Sequence, residues 1–93
     1  MNRIEIIYSQ PLEEDIFASI KGIPEAKFFT VVPGVRGQGF SVPKMGDPVW
    51  PEVNNLMLIY CESDEAAEAI ERGVDTVRQR YPNEGLAFFR MKG

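Results

Sequence analysis

The residues best suited to bind a ligand lie together in one irregular stretch of the chain, residues 33 to 52. Its first part combines three closely spaced glycines with one guanidinium and one amide side chain: Gly34, Arg36, Gly37, Gln38 and Gly39. Glycines leave backbone amides accessible and an arginine adds a permanent positive charge, so this combination can cradle a small anion. The alternative is that the glycines serve only the turns of a loop. Composition alone leaves both interpretations open.

The same stretch is unusual in length. It holds four of the eight glycines and four of the seven prolines of the chain, and it follows neither a helical nor a strand period. A connection this long is uncommon in a small domain unless it has a function. Two aromatic residues within it, Phe40 and Trp50, are candidate contacts for a protein partner, because aromatic side chains are frequent at binding hot spots. Trp50 folding back to pin the loop is the alternative.

Residue types elsewhere argue against a catalytic centre. The chain has no histidine, which removes the commonest general acid or base and the commonest transition-metal ligand. The acidic run at residues 13 to 15 is explained by the favourable start of a helix on a solvated face. Met45, Asp47, Glu52 and Cys61 follow no metal-ligand spacing. We therefore predict no catalytic residue, no metal site and no resident cofactor.

Composition limits the classes of binding partner and the cellular compartment that we expect for this protein. A net charge of -4 provides no broad basic surface, so nucleic-acid binding is disfavoured. No apolar run is long enough to insert into a membrane. The polar residues Arg3 and Glu5 near the start indicate no signal peptide, and the one cysteine cannot form an internal disulfide. These features predict a cytoplasmic protein.

Hydrophobic periodicity predicts the order β-α-β-β-α-β. Strands are expected at residues 3 to 8, 26 to 32, 54 to 61 and 86 to 91, and helices at residues 11 to 21 and 64 to 81. With right-handed crossovers, this order predicts an α+β, ferredoxin-like domain spanning residues 1 to 93. Its four-stranded antiparallel sheet carries both helices on one face, and residues 33 to 52 form a long loop between strands two and three.

The second face of this sheet has no covering helix. The apolar residues expected there are Ile7, Phe29, Val31, Phe89 and either Leu56 or Met57. Exposed apolar patches of this kind mark interfaces. The pattern therefore predicts a homo-oligomer in which the sheets pack together.

Three segments carry a resemblance to a known family. They are the opening strand at residues 3 to 8, the entry into the loop at residues 30 to 34, and the Gly-Gln-Gly sequence at residues 37 to 39. Together with the element order and the long loop, they resemble the PII-like superfamily of signal-transduction proteins, whose long loop is called the T-loop. The resemblance implies a homotrimer that binds a nucleotide, or another small anionic effector, between subunits. It also implies that the T-loop docks on transporters, enzymes or regulators.

Two features separate this chain from the nitrogen-sensing members of that superfamily. Residues 81 to 85 are short and acidic where those members carry a basic, glycine-rich phosphate-binding loop, which predicts weaker nucleotide binding and a preference for fewer phosphates. The loop also lacks the tyrosine that those members modify. The chain therefore resembles a divergent branch, several members of which accompany membrane transporters.

The ligand site implied by the resemblance is the glycine-rich loop base, from Gly34 to Gly39, with an adenine nucleotide as the effector. Arg90 and Lys92 at the end of the last strand are expected to complete an anion site between subunits, and the alternative is that they are solvated strand ends. Two other functions stay open. A small ferredoxin-fold enzyme would need a buried carboxylate such as Glu5, and a CutA-like metal-tolerance protein would hold a metal on Asp47, Glu52 or Cys61.

Overall fold

The structure is a computed structural model that describes residues 1–37 and 53–93. Its strands and helices are β1 (Asn2–Ser9), α1 (Glu13–Ile20), β2 (Phe29–Val35), β3 (Asn54–Cys61), α2 (Asp64–Arg80) and β4 (Leu86–Lys92). Short 3₁₀ turns at Gln10–Leu12 and Pro24–Lys27 flank α1. The first of these turns occupies the start of the predicted first helix, so the α-helix itself begins two residues after Pro11.

The four strands form one antiparallel sheet in the order β2-β3-β1-β4. The central strand β1 pairs with β3 on one side and β4 on the other, and Ile6 lies opposite both Met57 and Phe88. Both helices pack on the face of the sheet that carries Ile4 and Ile6, which are fully buried. The predicted ferredoxin-like α+β fold is confirmed.

Helix α2 shows how the sequence specifies this packing. Its apolar residues recur three or four positions apart, so they fall on one stripe that the sheet and α1 bury. Ile70, Val74 and Val77 on this stripe have no exposed surface. The Ser63 hydroxyl caps the N-terminus by accepting a hydrogen bond from the Ala66 amide at 3.0 Å. No helix of the described residues is long and apolar enough to cross a bilayer.

The uncovered side of the sheet, termed here the open face, is apolar. Cross-strand partners point to the same side of a sheet, so the pairing of Ile7 with Leu56 and with Ala87 defines this side. Its large apolar residues are Ile7, Val32, Leu56, Leu58, Tyr60, Phe89 and Met91. Phe89 is 50 % exposed and Met91 46 %. The prediction that Ile7, Phe89 and Leu56 lie on the uncovered face is confirmed.

The prediction for Phe29 and Val31 is wrong. Phe29 pairs with Ile59 and Val31 pairs with Met57, and both partners face the helices. The Phe29 ring also packs edge-on against Phe17 of α1, with ring centroids 4.8 Å apart. Strand β2 carries apolar residues at successive positions, so only its register with β3 decides which of them face the helices.

The two helices approach each other closely at Gly73. A Cβ atom at this position would lie 2.7 Å from the carbonyl oxygen of Ser19 in α1, closer than such atoms can approach. The glycine therefore has a packing role in the middle of α2, where its helix propensity is about 1 kcal/mol worse than that of alanine.

We expect Gly73→Ala to lower the free energy of unfolding by about 1–2 kcal/mol, because overpacking against a backbone atom outweighs the propensity gain. Urea denaturation at fixed protein concentration measures the change. Gly22→Ala is the matched control, since a Cβ atom there would meet nothing within 4 Å. A Gly73→Ala protein more stable than wild type would contradict the close approach.

Candidate functional site

The base of the long loop begins at Gly34. This residue has a φ of +70°, a left-handed conformation that glycine adopts without strain. The pairing of β2 with β3 is irregular between Val32 and Val35, so the chain changes direction here. The Gly34 amide donates a hydrogen bond to Oδ1 of Asn55 at 3.2 Å. A side chain of β3 thus holds the backbone at this irregularity, one residue before the end of β2.

Asn55 connects this point to the start of α1. Its Nδ2 donates to Oε1 of Glu13 at 3.0 Å, and the Tyr8 hydroxyl donates to the same oxygen at 2.6 Å. Gln10 Nε2 donates to Asn55 Oδ1 at 3.2 Å. These five residues, Tyr8, Gln10, Glu13, Gly34 and Asn55, are termed the Asn55 network. The network joins β1, α1, β2 and β3, so it connects the loop base to the scaffold through side-chain hydrogen bonds.

The central side chains of the network are buried. Tyr8 has no exposed surface and Asn55 is 4 % exposed. Burial, followed by the hydrogen bond to Glu13, raises the pKa of Tyr8 well above its ordinary value, so the phenol stays a neutral donor at physiological pH. Glu13 was expected on a solvated helix face, but it is half-buried and accepts two hydrogen bonds. The sequence signal for this network is a polar pair, Asn54 and Asn55, opening an apolar strand.

Removing the amide of Asn55 tests the network. We expect Asn55→Ala to lower the free energy of unfolding by about 1–2 kcal/mol, because the Gly34 amide and the Glu13 carboxylate each lose a partner. Asn54→Ala is the matched control, since Asn54 Oδ1 accepts no hydrogen bond from the described residues. Chemical denaturation of both variants measures the difference. Equal stability of the two variants would show that the network contributes nothing.

The residues predicted to bind the ligand or a protein partner fall into three groups. Gly34, Arg36 and Gly37 lie together at the end of β2, and all three are exposed. Gln38, Gly39, Phe40 and Trp50 lie outside the described residues, as do Met45, Asp47 and Glu52. Arg90 and Lys92 form the third group, elsewhere in the molecule.

Arg90 and Lys92 lie at the opposite end of the sheet from the loop base. Lys92 pairs with Asn2 at the start of β1, whereas the loop base adjoins the end of β1 at Ser9. The length of β1 separates the two ends by roughly 23 Å, at about 3.3 Å per residue. Within one chain, the two cations therefore cannot share a small ligand with Arg36.

Arg90 and Lys92 instead surround one carboxylate at the N-terminus of α2. Lys92 Nζ lies 2.7 Å from Asp64 Oδ2, and Arg90 Nη2 lies 3.3 Å from Asp64 Oδ1. Asn2 donates to Asp64 and accepts from Arg90, both at 3.1 Å. The hydrogen bond from Lys92, then that from Asn2, lowers the pKa of Asp64 to about 2. Two cations and one anion leave this group, termed the far-end cluster, with one positive charge.

The structure also shows the environment of the residues that an enzyme or a metal-binding protein would use. Glu5 is half-buried on the open face and its Oε2 lies 2.7 Å from Arg3 Nη2, so it is an ion-paired carboxylate, not the isolated one that an enzyme would need. Cys61 is buried on the helix side, and burial raises its pKa. Across residues 1–37 and 53–93, no three metal-binding side chains gather at one point.

Comparison with known proteins identifies the class of fold. No protein-family model and no curated protein matches this sequence. Solved structures do match. A PII-like signalling protein of Thermus thermophilus matches with a TM-score of 0.66 at 19 % sequence identity. CPII of Thiomonas intermedia, a nitrogen regulatory PII-like protein, has a TM-score of 0.74 at 14 % identity in its complex with ADP, AMP and bicarbonate.

A second CPII structure, bound to ADP and bicarbonate, gives a TM-score of 0.71 at 17 % identity. All three comparisons cover 97 % of this chain and 82 % of the other. The chain thus has the fold of PII-like signalling proteins, and the resemblance predicted from the sequence is confirmed at the level of the fold.

Proposed function

We propose that this chain is a divergent PII-like regulator and not an enzyme. It acts as a homotrimer, senses a small anionic effector between subunits and controls a protein partner through residues 33 to 52. The observation that carries the proposal is the loop base, where the Asn55 network hydrogen-bonds to Gly34 near the end of β2 in a PII-like fold. Because this base is hydrogen-bonded to the scaffold, a ligand bound beside it would change the conformation of the loop and leave the sheet unchanged.

The open face supports the oligomer. A monomer would leave Val32, Tyr60, Phe89 and Met91 each 40–50 % exposed on a single surface. Burial of apolar area contributes about 25 cal/mol per Å² removed from water, so covering this face with identical faces stabilises an assembly. The PII-like fold makes three copies the arrangement that we propose.

The same assembly explains the separation of the predicted ligand residues. Arg36 and the far-end cluster lie at opposite ends of one sheet, so only a neighbouring subunit can bring Arg90 and Lys92 to the loop base. An intersubunit cleft lined by Gly34, Arg36 and Gly37 from one chain and by the far-end cluster, with its one net positive charge, from the next would attract an anion. The CPII complexes with ADP support an adenine nucleotide as that anion.

The proposed output is a change in order of the loop. Contacts from the effector to Arg36 and to the adjacent backbone amides would favour one loop conformation, and the loop would then present or withdraw its docking surface. The effector must bind the two conformations with different affinities, because equal affinity shifts no population. Phe40 and Trp50 are the proposed partner contacts, and a membrane transporter reached from the cytoplasm is the proposed partner class.

Calorimetry on the wild-type protein tests the effector. ATP, ADP, AMP, a cyclic adenine nucleotide and bicarbonate are titrated separately, and bicarbonate is also titrated in the presence of ADP. We expect saturable binding with one site per subunit and a preference for ADP or AMP over ATP, because residues 81 to 85 supply no basic phosphate loop. Hydrogen exchange with and without the bound ligand then reports the order of residues 34 to 47.

Binding of none of these compounds below millimolar concentration would overturn the effector proposal. Full and equal exchange protection of residues 34 to 47 in the free and bound protein would overturn the switch but leave binding intact.

A further inference from the structure

A concave apolar surface lies away from both the loop base and the open face. It encloses about 290 Å³ between α1, the 3₁₀ turn Pro24–Lys27 and the start of β2. Its apolar lining is formed by Phe17, Ala18, Ile20, Ile23, Ala26 and Phe29. Within this lining, the rings of Phe17 and Phe29 form a T-shaped pair, with ring centroids 4.8 Å apart. Apolar side chains from three elements therefore converge on one small space.

The charged side chains of this lining are both lysines. Lys21 and Lys27 border the concavity and are exposed, and among residues 1–37 and 53–93 no carboxylate lines it. Within the described residues, neither ammonium forms an ion pair. Lys27 Nζ lies 5.3 Å from the centroid of the Phe28 ring, so an aromatic face is its neighbour. In the part of the chain that the structure describes, the groove therefore carries positive charge only, although the whole chain has a net charge of -4.

We propose that this lysine-rimmed groove binds a medium-chain carboxylate. The alkyl chain lies against Phe17, Ile23 and Ala26, and the carboxylate lies at the rim between Lys21 and Lys27. The apolar lining removes the chain from water, and the two ammonium groups supply the complementary charge.

The size of the groove favours this ligand class. Pockets for small molecules usually enclose about 300–1,000 Å³, so this groove lies at the lower limit and suits a small ligand. A neutral apolar ligand would fill the lining but leave both ammonium groups without an anion. A short alkyl chain with one terminal carboxylate would contact the apolar lining and also pair with the two ammonium groups.

The groove is independent of the proposed effector site. None of its lining residues belongs to the Asn55 network, to the far-end cluster or to the open face. It lies on the helix side of the sheet, opposite the face that the proposed trimer buries. A negative result here therefore leaves the nucleotide proposal untouched, and the reverse also holds.

Octanoate is the probe, with octanol as its neutral counterpart. Two-dimensional NMR of the methyl groups in the full chain locates the binding site. We expect saturable shifts at Ala18, Ile20, Ile23 and Ala26, with a dissociation constant near millimolar or tighter. Octanol should bind about threefold to tenfold more weakly, because exposed charge pairs contribute modestly.

Variants distinguish the contribution of the two lysine charges from that of the apolar groove. Lys21→Gln combined with Lys27→Gln should weaken octanoate binding about threefold to tenfold and leave octanol binding unchanged. Arg72→Gln with Arg78→Gln removes the same charge from α2 and should have no effect. Ala18→Trp, at an exposed lining position, should fill the groove and abolish binding of both probes. Shifts confined to Ile7, Leu56 and other open-face residues, or equal binding of the two probes, would overturn the proposal.

Discussion

Replacing Phe89 by glutamate is expected to convert the proposed trimer into monomers. Phe89 is half exposed in the single chain and lies on the open face beside Glu5, its partner across the strands. The substitution would place a second carboxylate next to Glu5 in the middle of the buried face of the assembly. Burying an unpaired carboxylate costs on the order of several kcal/mol, and a trimer would bury three of them.

The single chain should tolerate this change, because position 89 is exposed in its own fold. Sedimentation equilibrium at micromolar concentration gives the mass of each species, and circular dichroism confirms that the variant is folded. Gln79→Glu adds the same charge at an exposed position of α2 and should leave the trimer intact. A wild-type monomer, or a Phe89→Glu protein that sediments like wild type, would contradict the proposed use of the open face.

Removing the guanidinium of Arg36 has the second large expected effect. If the effector is an anion held at the loop base, Arg36→Ala should weaken its binding by ~1.5–3 kcal/mol, the range for losing a charge-assisted contact. That loss corresponds to roughly a tenfold to 150-fold higher dissociation constant. Arg36 is exposed and lies beyond the Asn55 network, so the fold should be unchanged.

Calorimetry with the tightest-binding nucleotide measures this effect. Arg72→Ala on the outer face of α2 removes the same charge and should bind like wild type. Arg36→Lys keeps the charge but loses the two-pronged donor geometry, so an intermediate affinity is expected. If Arg36→Ala binds the nucleotide as tightly as wild type, the effector site does not include the loop base.

Much of the architecture could be predicted from the sequence, because it depends on short-range periodicity. The stripe of Ile70, Val74 and Val77 indicated the buried face of α2 without any knowledge of its neighbours. The alternation of Ile4 and Ile6 did the same for β1. The irregular segment was predicted from residue 33, but β2 begins at Phe29 and continues to Val35, with the left-handed Gly34 inside it.

Side-chain networks could not be predicted in this way. Asn55 and Glu13 are 42 positions apart, and neither belongs to a local motif that predicts contact. Their hydrogen bond exists because β3 lies beside β1 and because α1 begins after only one short turn beyond β1. The role of Gly73 is equally non-local, since the close atom belongs to Ser19 in the other helix.

By itself, the sequence determined the order of elements and the buried stripes of the helices. Each of these follows from residues within one or two turns of one another. Only the tertiary structure decided that Phe29 faces the helices and that Arg90 lies far from Arg36. Both depend on strand register and strand direction, which long-range pairing sets and local composition does not.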